Sequence, residues 1–244
     1  MRVRIIFLLK NRGSHIPFHH QYLLAQMIKG VLMKGNDEKY INYSFYNFSG
    51  LKGQTKISRK GLHYYSSRVT LVLSSPSKEF IDYFLTNLFD FPKVELGALA
   101  LQPEFVEKEQ EVEMGEYSKF ICISPLVLMS SSFNDSSAKR FIPPDTDTFS
   151  DLLYESTIQR MASTGDYTEE ELAGFYKFQL IPDKNYIARL TAQQKKYARI
   201  YPVFDQDDCG LGYFTHKGFG MLDVANSDPN NRVLKYDEFN ATVH

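Results

Sequence analysis

The chain has 244 residues, of which 43% are hydrophobic and 23% charged, and its formal net charge is −1. These values are typical of a globular protein with enough chain for one large domain or two small ones. No apolar run reaches the ~18 residues of a membrane span, and two cysteines, Cys122 and Cys209, are too few for a disulfide framework or a cysteine-rich zinc site, so we expect a cytoplasmic protein without a membrane partner.

The first half of the chain predicts strands and helices in alternation. Residues 2–10 alternate between apolar and charged side chains, which favours a strand rather than a signal peptide. A helix is predicted from Pro17 to Lys34, because proline suits the first helical position and apolar residues from Phe18 to Leu32 recur at helical spacing. The other predicted elements are a second helix from residues 75–79 to about Asp90 and strands at 43–49, 55–65, 68–74 and 94–105. The order strand–helix–strand–strand–helix–strand is the ferredoxin-like plan.

The second half repeats this alternation more loosely. An acidic run at 107–116 is interpreted as a linker or solvated loop, and it divides the chain into domains 1–110 and 111–244. The elements predicted after it are strands at 120–125, 186–191, 198–204 and 221–225, helices at 149–161 and 169–175, and a polar loop at 130–137.

The charges are unevenly distributed along the chain. Residues 1–70 contain twelve Lys or Arg but only two acids, Asp37 and Glu38, whereas the remainder contains 16 basic and 27 acidic residues. A separation of this size indicates a basic face that binds a polyanion, or a solvated surface with uneven charge. Aromatic residues among the basic ones favour the first interpretation.

A glycine-rich segment at 209–224 stands out near the end of the chain. It places Thr215, His216 and Lys217 between two pairs of glycines and then runs into an apolar strand. Glycine lets a polyanion lie directly against main-chain N–H groups. A hairpin turn without a ligand is the alternative. A dinucleotide fingerprint is excluded because these glycines precede a strand and not a helix.

Several segments in one order resemble a known family. They are Arg2–Arg4, Ile16–Leu24, Phe45–Ser49, Ile123–Pro125 and the glycine motif Gly210–Met221. Together they resemble the CRISPR-associated endoribonucleases that process repeat RNA, members of the repeat-associated mysterious protein (RAMP) superfamily. The resemblance spans nearly the whole chain, and the glycine motif is its specific part.

The resemblance implies an α+β fold of two ferredoxin-like units side by side, with RNA along a basic surface. Such enzymes cut precursor CRISPR RNA without a metal or other cofactor. The ribose 2′-OH attacks the adjacent phosphorus, leaving a 2′,3′-cyclic phosphate and a 5′-OH. The reaction needs a base, an acid and positive charge around the phosphorane. The expected partners are CRISPR repeat RNA, the mature crRNA and other subunits of a CRISPR effector complex.

The chain departs from the family at the catalytic position. The resemblance implies a histidine just after the first helix, but segment 36–44 has none, and Lys29 occupies the place of a family tyrosine. Three explanations stay open: the histidine lies within the first helix, lysine and tyrosine replace it, or cleavage is lost while binding persists. The histidines of the first explanation are His19 and His20, and the residues of the second are Lys29, Lys39, Tyr40 and Tyr43. We take His20, Lys29 and Tyr43 as the catalytic candidates, against the alternative of structural packing.

The candidate RNA contacts fall into two groups. A basic cluster beside Tyr64 and Tyr65 is predicted to bind phosphates and stack bases, or else to be a charged hairpin edge. The glycine segment is predicted to contact the RNA backbone. The residues concerned are Lys52, Lys56, Arg59, Lys60, Gly210, Gly212, His216, Lys217, Gly218, Phe219 and Gly220. Two rival functions stay open: an RNA-binding subunit that does not cleave, and a small-molecule enzyme or protein-interaction module in which the glycine segment is only a turn.

Overall fold

The structure is a computed structural model that describes residues 1–110, 120–124, 126–132, 135–143, 146–174, 215–224 and 233–235. The elements of the first half are β1 (Arg2–Leu9), β2 (His15–Ile16), α1 (Gln21–Lys34), α2 (Glu38–Ile41), β3 (Asn47–Phe48), β4 (Thr55–Ser58), β5 (Gly61–Tyr64), β6 (Arg68–Ser74), α3 (Lys78–Phe89), β7 (Val94–Leu96) and β8 (Leu99–Glu109). Those of the second half are β9 (Phe120–Cys122), β10 (Met129–Ser132), β11 (Asp135–Phe141), α4 (Asp147–Thr164), α5 (Glu169–Gly174), a 3-10 turn (Thr215–Lys217), β12 (Leu222–Val224) and β13 (Val233–Lys235).

A central antiparallel sheet organises the first half. Its strands lie in the order β13-β8-β1-β6-β3, and β7 pairs with the first three residues of β8. Alternate residues of β1, including Ile5 and Phe7, are fully buried in one cluster with α1 and α3 residues such as Ile28 and Phe84. The strand–helix–strand–strand–helix–strand order is therefore present as β1, α1, β3, β6, α3 and β8, with β3 at the edge of the sheet.

The first helix begins later than the sequence predicts. Residues 18–20 form a turn, and His20 is the N-cap, whose carbonyl accepts bonds from the N–H groups of Leu23 and Leu24. Phe18 and Tyr22 belong to the apolar series at helical spacing, but they are 52% and 50% exposed. Phe18 lies in the turn before α1 and so outside the helical period, whereas Tyr22 lies in the first turn of α1 on its exposed side.

Two predicted single strands are hairpins. Residues 55–65 form β4 and β5, which turn at Arg59 and Lys60 and join β2 in a three-stranded sheet. Residues 94–105 likewise divide into β7 and β8. The periodicity of a strand continues on either side of a tight turn, so a pattern alone does not locate the reversal.

In the second half, the predicted polar loop at 130–137 is wrong, because β10 and β11 pair there as an antiparallel hairpin. Main-chain hydrogen bonds supply the pairing that its serine-rich sequence does not indicate. Helices α4 and α5 lie close to their predicted positions. The predicted strands at 186–191 and 198–204 lie outside the described residues.

Buried Arg2 links the end of the glycine segment to the central sheet. Its Nε lies 2.9 Å from Glu109 Oε2, its Nη2 lies 3.8 Å from Asp223 Oδ2, and its Nη1 donates a 2.9 Å hydrogen bond to the carbonyl of Leu222.

Residues 107–109 belong to β8 and not to the predicted linker. The domain boundary near residue 110 stays a prediction. In the part of the chain that the structure describes, no helix is long and apolar enough to cross a membrane.

Candidate nucleic-acid interface

The glycine segment lies against the first helix and the edge strand of the sheet. The side-chain amide of Gln21 donates a 2.7 Å hydrogen bond to the Gly218 carbonyl. The amide of Asn47, at the start of β3, donates one of 3.1 Å to the carbonyl of Phe219. Two amides from the cationic first third therefore hold consecutive carbonyls of the glycine segment, and the two regions converge.

Glycine is required at position 218. The backbone there has φ +81°, in the left-handed region, and its N–H closes the 3-10 turn by a 2.8 Å bond to the Thr215 carbonyl. An added Cβ would collide with the ring of Phe48, which is itself fully buried. The segment therefore approaches β3 more closely than any side chain at position 218 would allow.

His20 lies at this junction with one ring nitrogen unused. Its Nδ1 is 3.2 Å from the Pro17 carbonyl, and since a carbonyl only accepts, that contact places the proton on Nδ1. Nε2 is then an acceptor, and among the described residues it has no hydrogen-bond partner. The side chain is only 8% exposed, and burial lowers its pKa, although the Pro17 carbonyl opposes that shift. The ring is therefore neutral at neutral pH and able to take up a proton.

A second unused atom lies beside it. Gln21 Oε1 is buried and, within the described ranges, lacks a hydrogen-bond partner, whereas the same side chain's nitrogen holds Gly218. Burying an unpaired polar atom costs about 1–3 kcal/mol. Two such atoms on consecutive residues, His20 and Gln21, are places where an ordered water or a polar ligand supplies the missing bonds.

The 3-10 turn adds positive charge to the junction. His216 is half-buried, and burial, Lys217 and Arg160 each lower its pKa. Arg160 belongs to α4, so the second half of the protein contributes a cation to the same place. Lys217 is exposed. This set of side chains favours an anion such as a phosphodiester.

The other two catalytic candidates occupy different surroundings. Lys29 is exposed on α1, eight residues after Gln21 and so about 12 Å along the helix axis. The Tyr43 hydroxyl lies 3.2 Å from Ser75 Oγ, and its ring stacks on Phe80 with centroids 4.6 Å apart. Within the described residues, no hydrogen bond joins either side chain to His20, so their catalytic roles stay predictions.

The predicted basic cluster is an exposed hairpin. Arg59 and Lys60 form its two-residue turn, and Lys56 Nζ lies 5.0 Å from the centroid of the Tyr65 ring. Lys52 is exposed just before the hairpin and is paired through its backbone with Thr70. These cations are presented to solvent, as phosphate contacts require.

Of the two aromatics beside this cluster, Tyr65 is 44% exposed. Tyr64 is fully buried, and its hydroxyl donates a 2.7 Å bond to the Leu51 carbonyl. The expectation that Tyr64 stacks a base is therefore wrong. Burial also raises the pKa of Tyr64 to about 12.

Only some of the predicted residues of the glycine segment lie within the described ranges. Phe219 and Gly220 lie in the described glycine segment next to Gly218, whereas Gly210 and Gly212 lie outside the described residues. Sequence analysis did not select Gln21 and Asn47, although both lie in the segments that carry the family resemblance. The sequence feature that could have identified them is a polar side chain near the start of a predicted helix for Gln21, and one within a short predicted strand for Asn47. In the described ranges, no group of three His, Cys, Asp or Glu side chains is arranged to hold a metal ion.

Comparisons with known proteins agree with the resemblance, although no protein-family model matches the chain. The chain is 24% identical over 241 residues to a Methanocaldococcus jannaschii protein named CRISPR-associated endoribonuclease Cas6 1, covering 90% of this chain and 92% of that protein. It is 24% identical over 238 residues to a Pyrococcus furiosus protein named putative CRISPR-associated endoribonuclease-like protein Cas6, covering 92% of this chain and 98% of that one.

A solved structure described as a RAMP protein binding different RNA substrates superposes with a TM-score of 0.70 at 19% identity, covering 93% of this chain and 100% of that chain. A likeness at this level shows a shared fold. The relatives thus agree with the resemblance that the sequence predicted: this chain is similar to proteins named as CRISPR-associated Cas6 endoribonucleases, and it shares its fold with the solved RAMP protein.

Proposed function

We propose that this protein binds CRISPR repeat RNA and cleaves it as an endoribonuclease on a fold of two ferredoxin-like units. The observation that carries the proposal is the unpartnered Nε2 of buried His20, which lies where α1 meets the glycine segment. Curated relatives named as CRISPR endoribonucleases support the same activity.

In this mechanism, neutral His20 is the general base. Its Nε2 takes the proton of a ribose 2′-OH, the 2′-oxygen forms a bond to the adjacent phosphorus, and the bond from phosphorus to the 5′-oxygen breaks. The departing 5′-oxygen takes a proton from water, so the products are a 2′,3′-cyclic phosphate and a 5′-OH. The cations Lys217 and Arg160, next to His216, attract the phosphodiester. The main chain of the glycine segment lies along the backbone of the RNA.

Lys29 and Tyr43 have supporting parts in this proposal. Exposed Lys29 supplies positive charge to the phosphorane. Tyr43, bonded to Ser75 Oγ, positions the end of β6 beside β3. The exposed cations Lys52, Lys56, Arg59 and Lys60 bind phosphates farther along the repeat. The protein then stays on the mature crRNA and joins other effector subunits.

The test compares unmodified repeat RNA with RNA that carries a 2′-deoxyribose at the cut site, both in EDTA. We expect cleavage of the first to a cyclic phosphate, and binding of the second without cleavage. His20→Ala is expected to slow cleavage about 100-fold or more while RNA binding persists. Thr86→Ala, an exposed change on α3, is the control. Cleavage of the deoxy RNA would contradict the mechanism, and full activity of His20→Ala would contradict the assignment of the base.

The second candidate is an RNA-binding protein that does not cleave. Two observations favour it: His20 is largely covered, and segment 36–44, which contains α2, has no histidine. In that case the unmodified RNA binds and remains intact. A small-molecule enzyme or protein-interaction module would instead show no salt-sensitive affinity for the repeat.

A further inference from the structure

Three aromatic side chains at the start of α1 are left partly open to solvent. Phe18 is 52% exposed and Tyr22 is 50% exposed. His19, also exposed, stacks on Tyr22 with ring centroids 6.0 Å apart and planes inclined by 30°. Large aromatics contribute most when their rings are covered, so exposed aromatic rings within one short segment are typical of a binding surface.

This aromatic group lies beside the proposed cleavage site. Along residues 18–22, Phe18, His19 and Tyr22 are exposed, whereas His20 is buried and Gln21 is bonded to Gly218. The exposed rings and the unpaired His20 Nε2 thus come from one short turn.

The surrounding charge identifies the kind of ligand. The first 36 residues contain no Asp or Glu, and the first acid of the chain is Asp37. Lys29 is exposed on the same helix, and Lys217 is exposed on the 3-10 turn that packs against α1. Exposed aromatic rings and cations on a segment that contains no acid match a polyanion with flat rings of its own, namely single-stranded nucleic acid.

We infer that Phe18, His19 and Tyr22 form a stacking platform for one or two unpaired bases of the RNA next to the cleaved phosphodiester. The inference rests on the proposed function and adds how the substrate is held. Stacking a base outside the duplex frees the adjoining ribose from A-form geometry. The 2′-oxygen is then free to align with the phosphorus–oxygen bond that breaks.

The platform is tested with a non-cleavable repeat RNA that carries the fluorescent base 2-aminopurine at one position at a time near the cut site. We expect wild-type protein to quench one or two positions. Tyr22→Leu, which keeps an apolar side chain but removes the ring, is expected to weaken RNA affinity about tenfold and abolish the quenching. Tyr22→Phe should retain both. Tyr167→Leu, which removes an aromatic that is 45% exposed between α4 and α5, is the matched control.

An abasic RNA separates stacking from other effects. If Tyr22 stacks on a base, removing that base weakens wild-type binding, and Tyr22→Leu then causes no further loss. Equal affinity of wild type and of the variants Phe18→Leu and Tyr22→Leu for intact RNA would overturn the platform while leaving the proposed function in place. The same loss on intact and on every abasic RNA would also overturn it. Failure of the wild-type protein to bind repeat RNA at all would overturn both proposals.

Discussion

The side-chain amide of Gln21 donates a 2.7 Å hydrogen bond to the carbonyl oxygen of Gly218, 197 positions farther along the chain. This bond joins the first turn of α1 to the 3-10 turn of the glycine segment. The 3-10 turn, which carries exposed Lys217, therefore packs against the helix whose N-cap is His20. The candidate site is therefore formed by tertiary contact between the two ends of the described chain.

Replacing Gln21 by Ala should loosen this junction. The Gly218 carbonyl would lose its donor, which typically costs about 1 kcal/mol of unfolding free energy. The affinity for repeat RNA should fall further, because the glycine segment would no longer be held against α1. Chemical denaturation and filter binding measure the two quantities. Gln26→Ala, an exposed change on the same helix, is the control, and equal effects of the two variants would contradict the role of Gln21.

Gly218→Ala should be more harmful than its small size indicates. A residue with a side chain in the left-handed region costs about 1–2 kcal/mol, and the added methyl would also meet the Phe48 ring. Gly165 has φ +74° with no atom within 4 Å of an added Cβ, so Gly165→Ala measures the backbone cost alone. Thermal unfolding should show the larger loss for Gly218→Ala. Equal losses would mean that the segment does not approach Phe48 closely.

The stability of the protein should fall as the pH drops from about 7 towards 5.5. Burial lowers the pKa of His20 in the folded state below its ordinary value near 6.5. The unfolded chain therefore binds the proton first as the pH falls, which favours unfolding. The stabilising effect is complete above pH 6.5 and is lost towards the lower pKa of the folded state.

His20→Asn should flatten this pH dependence in urea denaturation between pH 7 and 5.5. The pKa of His216 is also lowered, chiefly by burial, so part of the dependence should persist until His216→Asn is added. Identical pH dependence of wild type and His20→Asn would show that the pKa of His20 is not lowered by folding.

Arg2→Leu should destabilise the fold strongly. It would remove the guanidinium that faces both Glu109 and Asp223, which are largely buried, while Arg4 Nε would stay 3.8 Å from Glu109 Oε1. Breaking a buried ion pair from one side costs about 3–5 kcal/mol. The exposed pair of Arg68 and Glu104 offers the control, since Arg68→Ala should change the unfolding free energy little. Similar small losses for both variants would contradict the role of Arg2 in fastening β12 to the sheet.

The hairpin cations should determine how steeply RNA binding depends on salt. If Arg59 and Lys60 contact two phosphates, removing both should lower the slope of log affinity against log salt by about 1.4 for single-stranded RNA. Lys93→Ala is the control. Lys93 follows α3 in the sequence, whereas the hairpin precedes it, and its Nζ lies 2.8 Å from Glu95. This variant should leave the slope unchanged. Titrations of labelled repeat RNA at several salt concentrations measure the slope. An unchanged slope for the hairpin variant would mean that the turn does not contact the RNA.

Local signals in the sequence were sufficient for much of the first half of the fold. Strand β6 has the predicted bounds, and α3 begins after Ser77, whose hydroxyl accepts the Phe80 N–H at 3.1 Å. Alternation, helical spacing and caps depend on residues within a few positions of one another, so a pattern reveals them. The uneven charge along the chain indicated an anionic partner. The glycine motif indicated the family that the chain resembles.

Only the tertiary structure decided which residues meet. The amides of Gln21 and Asn47, the exposure of Phe18 and Tyr22 and the hairpin at 55–65 depend on what packs against each segment. A hydrogen bond between residues 21 and 218 leaves no periodic trace in either segment, because its geometry depends on all the chain that folds between them. The sequence by itself therefore determined many of the local elements and indicated a polyanionic ligand, while the packing of distant segments determined which residues meet at the candidate site.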